Sequence, residues 1–146
     1  MKRNEIILGP DFSRQVEALY RDMEAAYDNV AGKLGFSCAS CPDNCCDSYF
    51  LHYTYTEWAY LWQGLRMVDE SLLHKITDRA ARYVIGSEAA MAAGKRPMLM
   101  CPLNAEGLCS LYSHRLMICR LHGVPSTFTR PDGQQLDFPG CFNKKY

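Results

Sequence analysis

Cysteine is the residue whose number and spacing in this sequence first suggest chemistry. Eight of the 146 residues are cysteines, and four of them fall within the nine-residue segment CASCPDNCC, residues 38–46. The other four are spread along the second half of the chain: Cys101, Cys109, Cys119 and Cys141. Three explanations compete for such a set: a disulfide framework, a metal centre, or buried thiols that fill the core.

A metal centre accounts best for the clustered segment. Pro42, Asp43 and Asn44 favour a turn, in which a small apolar side chain finds little core to fill. A C-x2-C-x3-C turn brings several thiolates to one centre with little loss of chain entropy. Disulfides are disfavoured because the geometry of the bond rarely lets adjacent cysteines bridge each other. We therefore predict that these thiols bind metal, either in two four-cysteine sites or in one site with spare redox thiols. The candidate ligands are Cys38, Cys41, Cys45, Cys46, Cys101, Cys109, Cys119 and Cys141.

Charge and hydropathy argue against several classes of protein. Sixteen basic and sixteen acidic residues cancel, so charge gives no argument for nucleic acid or for an anionic membrane as a partner. No apolar run approaches the ~20 residues of a membrane span, and the run in MKRNEIILGPDF is too short for a signal peptide. We therefore expect a cytoplasmic protein, in which thiols stay reduced and clustered cysteines favour metal or redox chemistry.

The apolar pattern predicts a small, helix-rich α+β domain with three to four helices and a short hairpin. The first helix, over 11–34, is expected to be capped by Asp11 or Ser13 and to end at Gly35. Residues 1–35 should pack on a cysteine-cluster domain formed by 36–146, as one globular unit. The face of the first helix that packs would carry Phe12, Val16, Leu19, Met23, Tyr27, Val30 and Leu34.

The second and third helices are predicted from their first residues. Thr54 and Glu57 form a capping box that starts a helix to about Val68. Asp69 or Ser71 starts the next helix, which ends near 93. The side chains expected to face the core are Trp58, Leu61, Trp62 and Leu65 in the second helix and Leu72, Ile76, Ala80, Tyr83 and Met91 in the third.

The segments that carry the remaining cysteines are predicted to be short. Residues 49–53, YFLHY, favour a strand, and 97–112 favour a hairpin with a three-residue loop at 105–107. In that register Asn104 faces Leu108, and Cys101 and Cys109 are diagonal neighbours roughly 7–8 Å apart. Residues 112–122 favour one more helix, and the tail from 123 onward should be mostly irregular.

The cysteine pattern resembles a family of bacterial and archaeal cysteine-cluster proteins regarded as zinc- or iron-chelating domains. The shared pieces, over about residues 36–141, are C-x2-C-x3-C-C at 38–46, Cys101-Pro102, the turn GLC at 107–109 and YSHRLMICR at 112–120. Leu116 stands where the family usually has proline. The resemblance implies metal or iron–sulfur binding and no settled reaction. Similar modules also look to be part of flagellin lysine methylases, although this sequence shows no methyl-donor site.

Local spacing favours an iron–sulfur cluster over zinc. Structural zinc sites usually pair two C-x2-4-C knuckles, and only Cys38 and Cys41 fit that pattern. Three local cysteines with a remote fourth are closer to the ligand spacing of iron–sulfur proteins. Arg115 would share a helical face with Cys119, four residues later, and would offset the charge of a four-thiolate centre. We therefore assign Arg115 to cofactor binding.

Three functions are compatible with these residues. The first is an iron–sulfur module, with a [4Fe–4S] cluster, that passes electrons or a redox signal to a protein partner. The second is a protein-interaction module with structural zinc, and the third is a metal-dependent modifying enzyme. Ligation by cysteine alone disfavours an enzyme, because open catalytic zinc sites prefer histidine, carboxylate and water. His122 and His52 are weaker ligand candidates, whereas structural or surface roles are expected for Arg120, His74 and His114.

Overall fold

The computed structural model describes residues 6–38 and 43–141. Within these ranges the chain forms four α-helices: α1 (Pro10–Leu34), α2 (Tyr55–Leu65), α3 (Glu70–Ala92) and α4 (Met117–Leu121). Two antiparallel hairpins pair β1 (Asn104–Ala105) with β2 (Leu108–Cys109) and β3 (Ser126–Thr129) with β4 (Gln135–Phe138). Single 3-10 turns lie at Cys45–Asp47 and Tyr112–His114. The small, helix-rich α+β class is confirmed. In the described part of the chain, no helix has the length and apolar character needed to cross a membrane.

Most helix ends are set by the local signals that predicted them. The capping box of Thr54 and Glu57 is formed, and the Asp69 side chain accepts the Leu72 N–H at 2.9 Å. Gly35 ends α1 in the left-handed conformation, with φ of 61°. The start of α1 differs from the prediction, because its N-cap is Gly9 and neither Asp11 nor Ser13 caps it. Proline at the first helical position already has a helical φ and has no N–H that a cap would satisfy.

The faces that the helices bury were predicted less well than their ends. In α1 the buried residues are Val16, Tyr20 and Ala31, whereas Phe12 and Leu19 are exposed. The reason is an aromatic contact, since the Tyr20 ring meets Tyr60 of α2 edge to face with 5.4 Å between centroids. This contact turns the Tyr20 side of α1 toward α2 and leaves Phe12 and Leu19 on the solvent side.

The predicted core face of α2 is correct for its leucines and wrong for its tryptophans. Leu61 and Leu65 are buried in one cluster with Ile76 of α3, as predicted. Trp58 and Trp62 keep 40% and 42% of their surface exposed and contact each other edge to face. The inner positions of α2 go to small or α1-facing residues instead: Ala59, Tyr60 and Gly64.

Three predictions about the short segments are wrong. Residues 49–53 form no strand, and Tyr49 there has a left-handed φ of 51°. The tail contains the β3–β4 hairpin, whose turn at Pro131, Asp132 and Gly133 places its glycine at φ 84°. The register of β1–β2 is shifted by one residue, with Asn104 opposite Cys109, because the loop has two residues rather than three.

The buried carboxylate of Glu57 joins two helices. One oxygen accepts the backbone N–H groups of Tyr53 and, at 2.7 Å, Thr54, which precede α2. The other oxygen accepts the N–H of Met117, the first residue of α4, at 2.8 Å. Glu57 is only 3% exposed, so these amides and this carboxylate satisfy one another away from water. The start of α4 is thereby fixed against the start of α2.

Replacing Glu57 with alanine should destabilise the fold strongly. The substitution leaves backbone donors of the α2 and α4 termini without their acceptor, which should cost about 3 kcal/mol of unfolding free energy. Urea unfolding followed by circular dichroism measures the change. Glu88→Ala, at an exposed position of α3, is the matched control and should stay near wild type. Equal stability of the two variants would contradict the role given to Glu57.

Candidate metal centre

The predicted ligands lie on six separate parts of the described chain. Cys38 follows α1 and is exposed, and Cys45 and Cys46 open the 3-10 turn. Cys101 precedes β1, Cys109 ends β2, Cys119 lies in α4 and Cys141 follows β4. Cys41 lies outside the described residues. The question for the site is which of these thiols the fold brings together.

Four thiols from four segments form a mutual group: Cys46, Cys101, Cys109 and Cys119. In each of the six pairs among them, one thiol raises the pKa of the other. The backbone also joins two of the segments, because the Cys101 N–H donates to the Cys46 carbonyl at 2.9 Å. Cys46, the second residue of the CC pair, therefore lies close enough to Cys101, Cys109 and Cys119 to raise their pKa values. We call these residues the four-thiol group.

The four-thiol group borders the main apolar core. Cys109 and Cys119 pack against the cluster that contains Leu61, Leu111 and Leu116. Burial is accordingly the largest cause of the raised pKa values of Cys101, Cys109 and Cys119. For Cys119, burial and its three neighbouring thiols raise the pKa to about 12. In the absence of a positive ligand, these side chains are therefore neutral thiols at physiological pH.

Backbone amides partly oppose this effect at two of the sulfurs. Hydrogen bonds from the backbone of Leu103 and Asn104 lower the pKa of Cys101, and one from Leu111 lowers that of Cys109. In both places the donor amides lie two or three residues beyond the cysteine, so the chain turns back over its own sulfur. Such amides favour the charged form of a thiol and therefore prepare it to act as a thiolate.

Arg115 faces the four-thiol group by a geometry other than the predicted one. It lies before α4 in extended conformation, so it does not share a helical face with Cys119. Its charge still lowers the pKa values of both Cys109 and Cys119. The guanidinium lies 3.6 Å from the centroid of the Tyr112 ring and 3.7 Å from a Glu24 carboxylate oxygen. Its assignment to cofactor binding stays a prediction.

Arg120 is structural, as predicted, and it is one of the few buried charges. It is 5% exposed, and its guanidinium lies 3.9 Å from the centroid of the Tyr20 ring of α1. It also donates to the carbonyls of Ser113 at 2.5 Å and Arg115 at 3.2 Å, which fixes the turn that leads into α4. Because its charge lowers the pKa of Cys109, this structural residue also acts on the four-thiol group. The pairing of Arg120 with Tyr20 has no local sequence signal and was missed.

The other candidate ligands lie around this group. Cys141 is buried and its N–H donates to the Gly123 carbonyl at 2.9 Å. His122 is buried enough that its pKa is lowered, and its Nε2 has no hydrogen-bond partner within 6–38 and 43–141. His52 lies among exposed aromatic residues, with its ring 5.2 Å from that of Trp58. His114 stacks on Tyr60 and His74 lies 3.8 Å from Glu70, which confirms their packing and surface roles.

The donor chemistry of the four-thiol group suits soft metals, since thiolates select zinc, copper(I) and iron–sulfur clusters. Over the described ranges, no three histidine, cysteine, aspartate or glutamate side chains are arranged so that they hold one metal ion. The fold thus brings four thiols near one another, whereas the residues that the structure describes do not form a coordination sphere.

Cys119 should be alkylated slowly in folded protein that has been stripped of metal. A pKa of about 12, against an ordinary value of 9.0, makes its thiolate about a thousandfold scarcer at neutral pH. The rate of reaction with iodoacetamide, mapped by peptide mass spectrometry, should rise about tenfold per pH unit toward that value. The same cysteine in urea-unfolded protein is the control, and equal rates in the two states would contradict the burial argument.

No family model matches the chain, and no curated protein or solved structure is significantly similar to it. The chemistry of the site therefore rests on this chain's own residues. The features that carry it are the four thiols, the amides that reach two of their sulfurs, and the two arginines beside them.

Proposed function

We propose that this protein binds a metal through Cys46, Cys101, Cys109 and Cys119, and that the metal is an iron–sulfur cluster with a redox or sensory role. The observation that carries the proposal is the gathering of four thiols from four segments, with backbone amides directed at two of the sulfurs. Packing alone explains one or two buried cysteines and gives no reason for amide donors at their sulfurs. In iron–sulfur proteins, hydrogen bonds to the sulfurs help to set the reduction potential.

The charges around the group support a four-thiolate centre. Four thiolates around Zn²⁺ or a [4Fe–4S]²⁺ core carry a net charge of about −2, which a half-buried site must offset. Arg115 and Arg120 supply two positive charges, and both lower the pKa of Cys109. An iron–sulfur cluster would supply one-electron chemistry when bound. The chain's own contribution is to hold the thiolates, offset their charge and exclude water with Leu111 and Leu116.

The spacing of the cysteines and the resemblance noted above favour the cluster. The C-x2-C-x3-C-C segment followed by remote cysteines is closer to iron–sulfur ligand patterns than to paired zinc knuckles. The remaining thiols, Cys38, Cys41, Cys45 and Cys141, are proposed as ligands of the same or a second centre.

Structural zinc is the second candidate, and one observation favours it. Cys109 and Cys119 pack directly against the apolar core, and the four-thiol group ties together four segments that share little regular structure. A metal at such a junction would couple binding to folding, as structural zinc does. In that case the protein would be an interaction module, and a redox role would be absent.

Purification without oxygen distinguishes the two candidates. We expect brown protein with broad visible absorption, and iron and acid-labile sulfide in stoichiometric amounts. A colourless protein with one or two zinc ions per chain would overturn the cluster and support structural zinc. A protein with neither metal, whose thiols resist alkylation until reduced, would overturn metal binding altogether in favour of disulfides.

Substitution of single cysteines tests which thiols hold the metal. Cys109→Ser and Cys119→Ser should each lower metal content about tenfold, because each removes a ligand at the centre of the group. Ser110→Ala is the matched control, because it changes the residue next to Cys109 without removing a thiol, and it should keep the metal content of wild type. Metal content is measured by mass spectrometry of the elements. Full retention of metal in Cys119→Ser would show that the four-thiol group is not the site.

A further inference from the structure

Two members of the four-thiol group, Cys46 and Cys101, are joined directly through their backbones. The N–H of Cys101 donates to the carbonyl of Cys46 at 2.9 Å, although the two residues are distant in sequence. Residues paired by such a bond have their Cα atoms about 5–6 Å apart. A disulfide requires roughly 4.4–6.8 Å between the same atoms. The backbone therefore already holds this pair of cysteines at the spacing that a disulfide needs.

The side chains of the same pair also lie near each other. Cys46 raises the pKa of Cys101 by more than Cys109 does, and the repulsion between two thiolates grows as they approach. Both members of the pair are free thiols with part of their surface exposed, whereas Cys141 is buried. Backbone and side chains thus single out the same two cysteines as candidates for a bond.

The other two members of the group are positioned by different contacts. Cys109 ends β2, opposite Asn104, and Cys119 lies in α4. Both pack against the main apolar cluster. A bond between Cys46 and Cys101 would leave these two as thiols, and two ligands are too few for a zinc ion or an iron–sulfur cluster that takes four.

We propose that a peroxide switches the candidate metal centre off by joining Cys46 to Cys101 in a disulfide. This inference rests on the proposed function, because it names how that same site is regulated. The thiolate is the form of cysteine that binds metal, so the bond removes two of the four ligands. The oxidised chain should release its metal, and a dithiol that reduces the bond should restore metal binding.

The oxidation proceeds in two balanced steps. One of the two thiolates attacks the peroxide, so that an S–O bond forms, the O–O bond breaks and the leaving oxygen departs as water after protonation. The other thiolate attacks the sulfur of the resulting sulfenic acid, so that the S–S bond forms and the S–O bond breaks with loss of a second water. Two thiols together lose two electrons and two protons, and one hydrogen peroxide becomes two waters.

Treatment of the metal-loaded full chain with one equivalent of hydrogen peroxide tests the switch. Peptide mass spectrometry should find one disulfide per chain, between Cys46 and Cys101, and metal should be released in step with it. Zn²⁺, used as the probe of the empty site, should bind the oxidised chain at least tenfold more weakly than the reduced chain, because two ligands are lost. Dithiothreitol should restore the affinity.

Substitutions at single thiols separate this pair from its neighbours in the chain stripped of metal. Cys109→Ser is the matched control, because it makes the same chemical change within the group and keeps both partners of the bond. It should still form the disulfide, whereas Cys101→Ser should not. Circular dichroism checks that each variant keeps the helix content of wild type, and Cys46→Ser tests the bond from its other partner if Cys101→Ser does not fold.

The outcomes distinguish failure of the switch from failure of the proposed function. Metal that stays bound after peroxide, or a disulfide between other cysteines, would overturn the switch and leave metal binding intact. A bond between Cys46 and Cys101 that does not weaken Zn²⁺ binding would overturn its regulatory role. A chain purified without any metal would contradict the proposed function, and peroxide that then formed no bond between Cys46 and Cys101 would overturn the pairing as well.

Discussion

The position of α4 against the other helices depends on a buried carboxylate. Glu57 belongs to the capping box of α2, which is a local device, but its second oxygen reaches 60 residues along the chain to the Met117 amide. That one bond sets where α4 begins, and α4 carries both Cys119 and Arg120. Arg120 then returns to α1 through the Tyr20 ring, so three helices are joined by two charged side chains and an aromatic one. A short helix of five residues has little stability of its own, and these contacts with α1 and α2 hold it in place.

The parts of the fold that were predictable from sequence are those that local chemistry decides. Thr54, Asp69 and Gly35 mark helix ends because each satisfies, or allows, a bond within a few residues of itself. The inward faces depend on partners that are distant in sequence, and there the prediction failed. Hydrophobicity alone places Trp58 in the core, yet α1 reaches α2 through Tyr20 and Tyr60 and leaves Trp58 at the surface. The predicted β1–β2 register was wrong for a local reason. Glu106 adopts a left-handed φ of 54°, so the loop has two residues rather than three.

The sequence predicts the residue type of the candidate site, cysteine, but not which of the eight cysteines lie together. Residue type and spacing single out cysteine as the candidate metal ligand, because clustered thiols in a turn have few other uses, and that assignment stays a prediction. Which thiols meet was a question of three-dimensional structure. Cys46 reaches Cys101 through a backbone hydrogen bond, and Cys109 and Cys119 converge because the hairpin and α4 pack on the same apolar cluster. The contribution of Arg120 was missed for the same reason, since a buried arginine on an aromatic ring leaves no periodic pattern in the sequence.

The size of the core gives a physical reason why cross-links between segments would matter here. A chain of 146 residues is long enough to bury an ordinary core without cross-links. The described residues bury only 12 hydrophobic side chains, whereas 22 large ones stay exposed. Regular secondary structure adds little stability to the segments that carry Cys101, Cys109 and Cys119. The strands β1 and β2 have two residues each, and α4 has five. Bonds from four thiolates to one centre would join the turn after α1, the loop before β1, the hairpin and α4 at a single point. The apolar core reaches the hairpin and α4 through Cys109 and Cys119, whereas neither Cys46 nor Cys101 is among the described residues that pack on it.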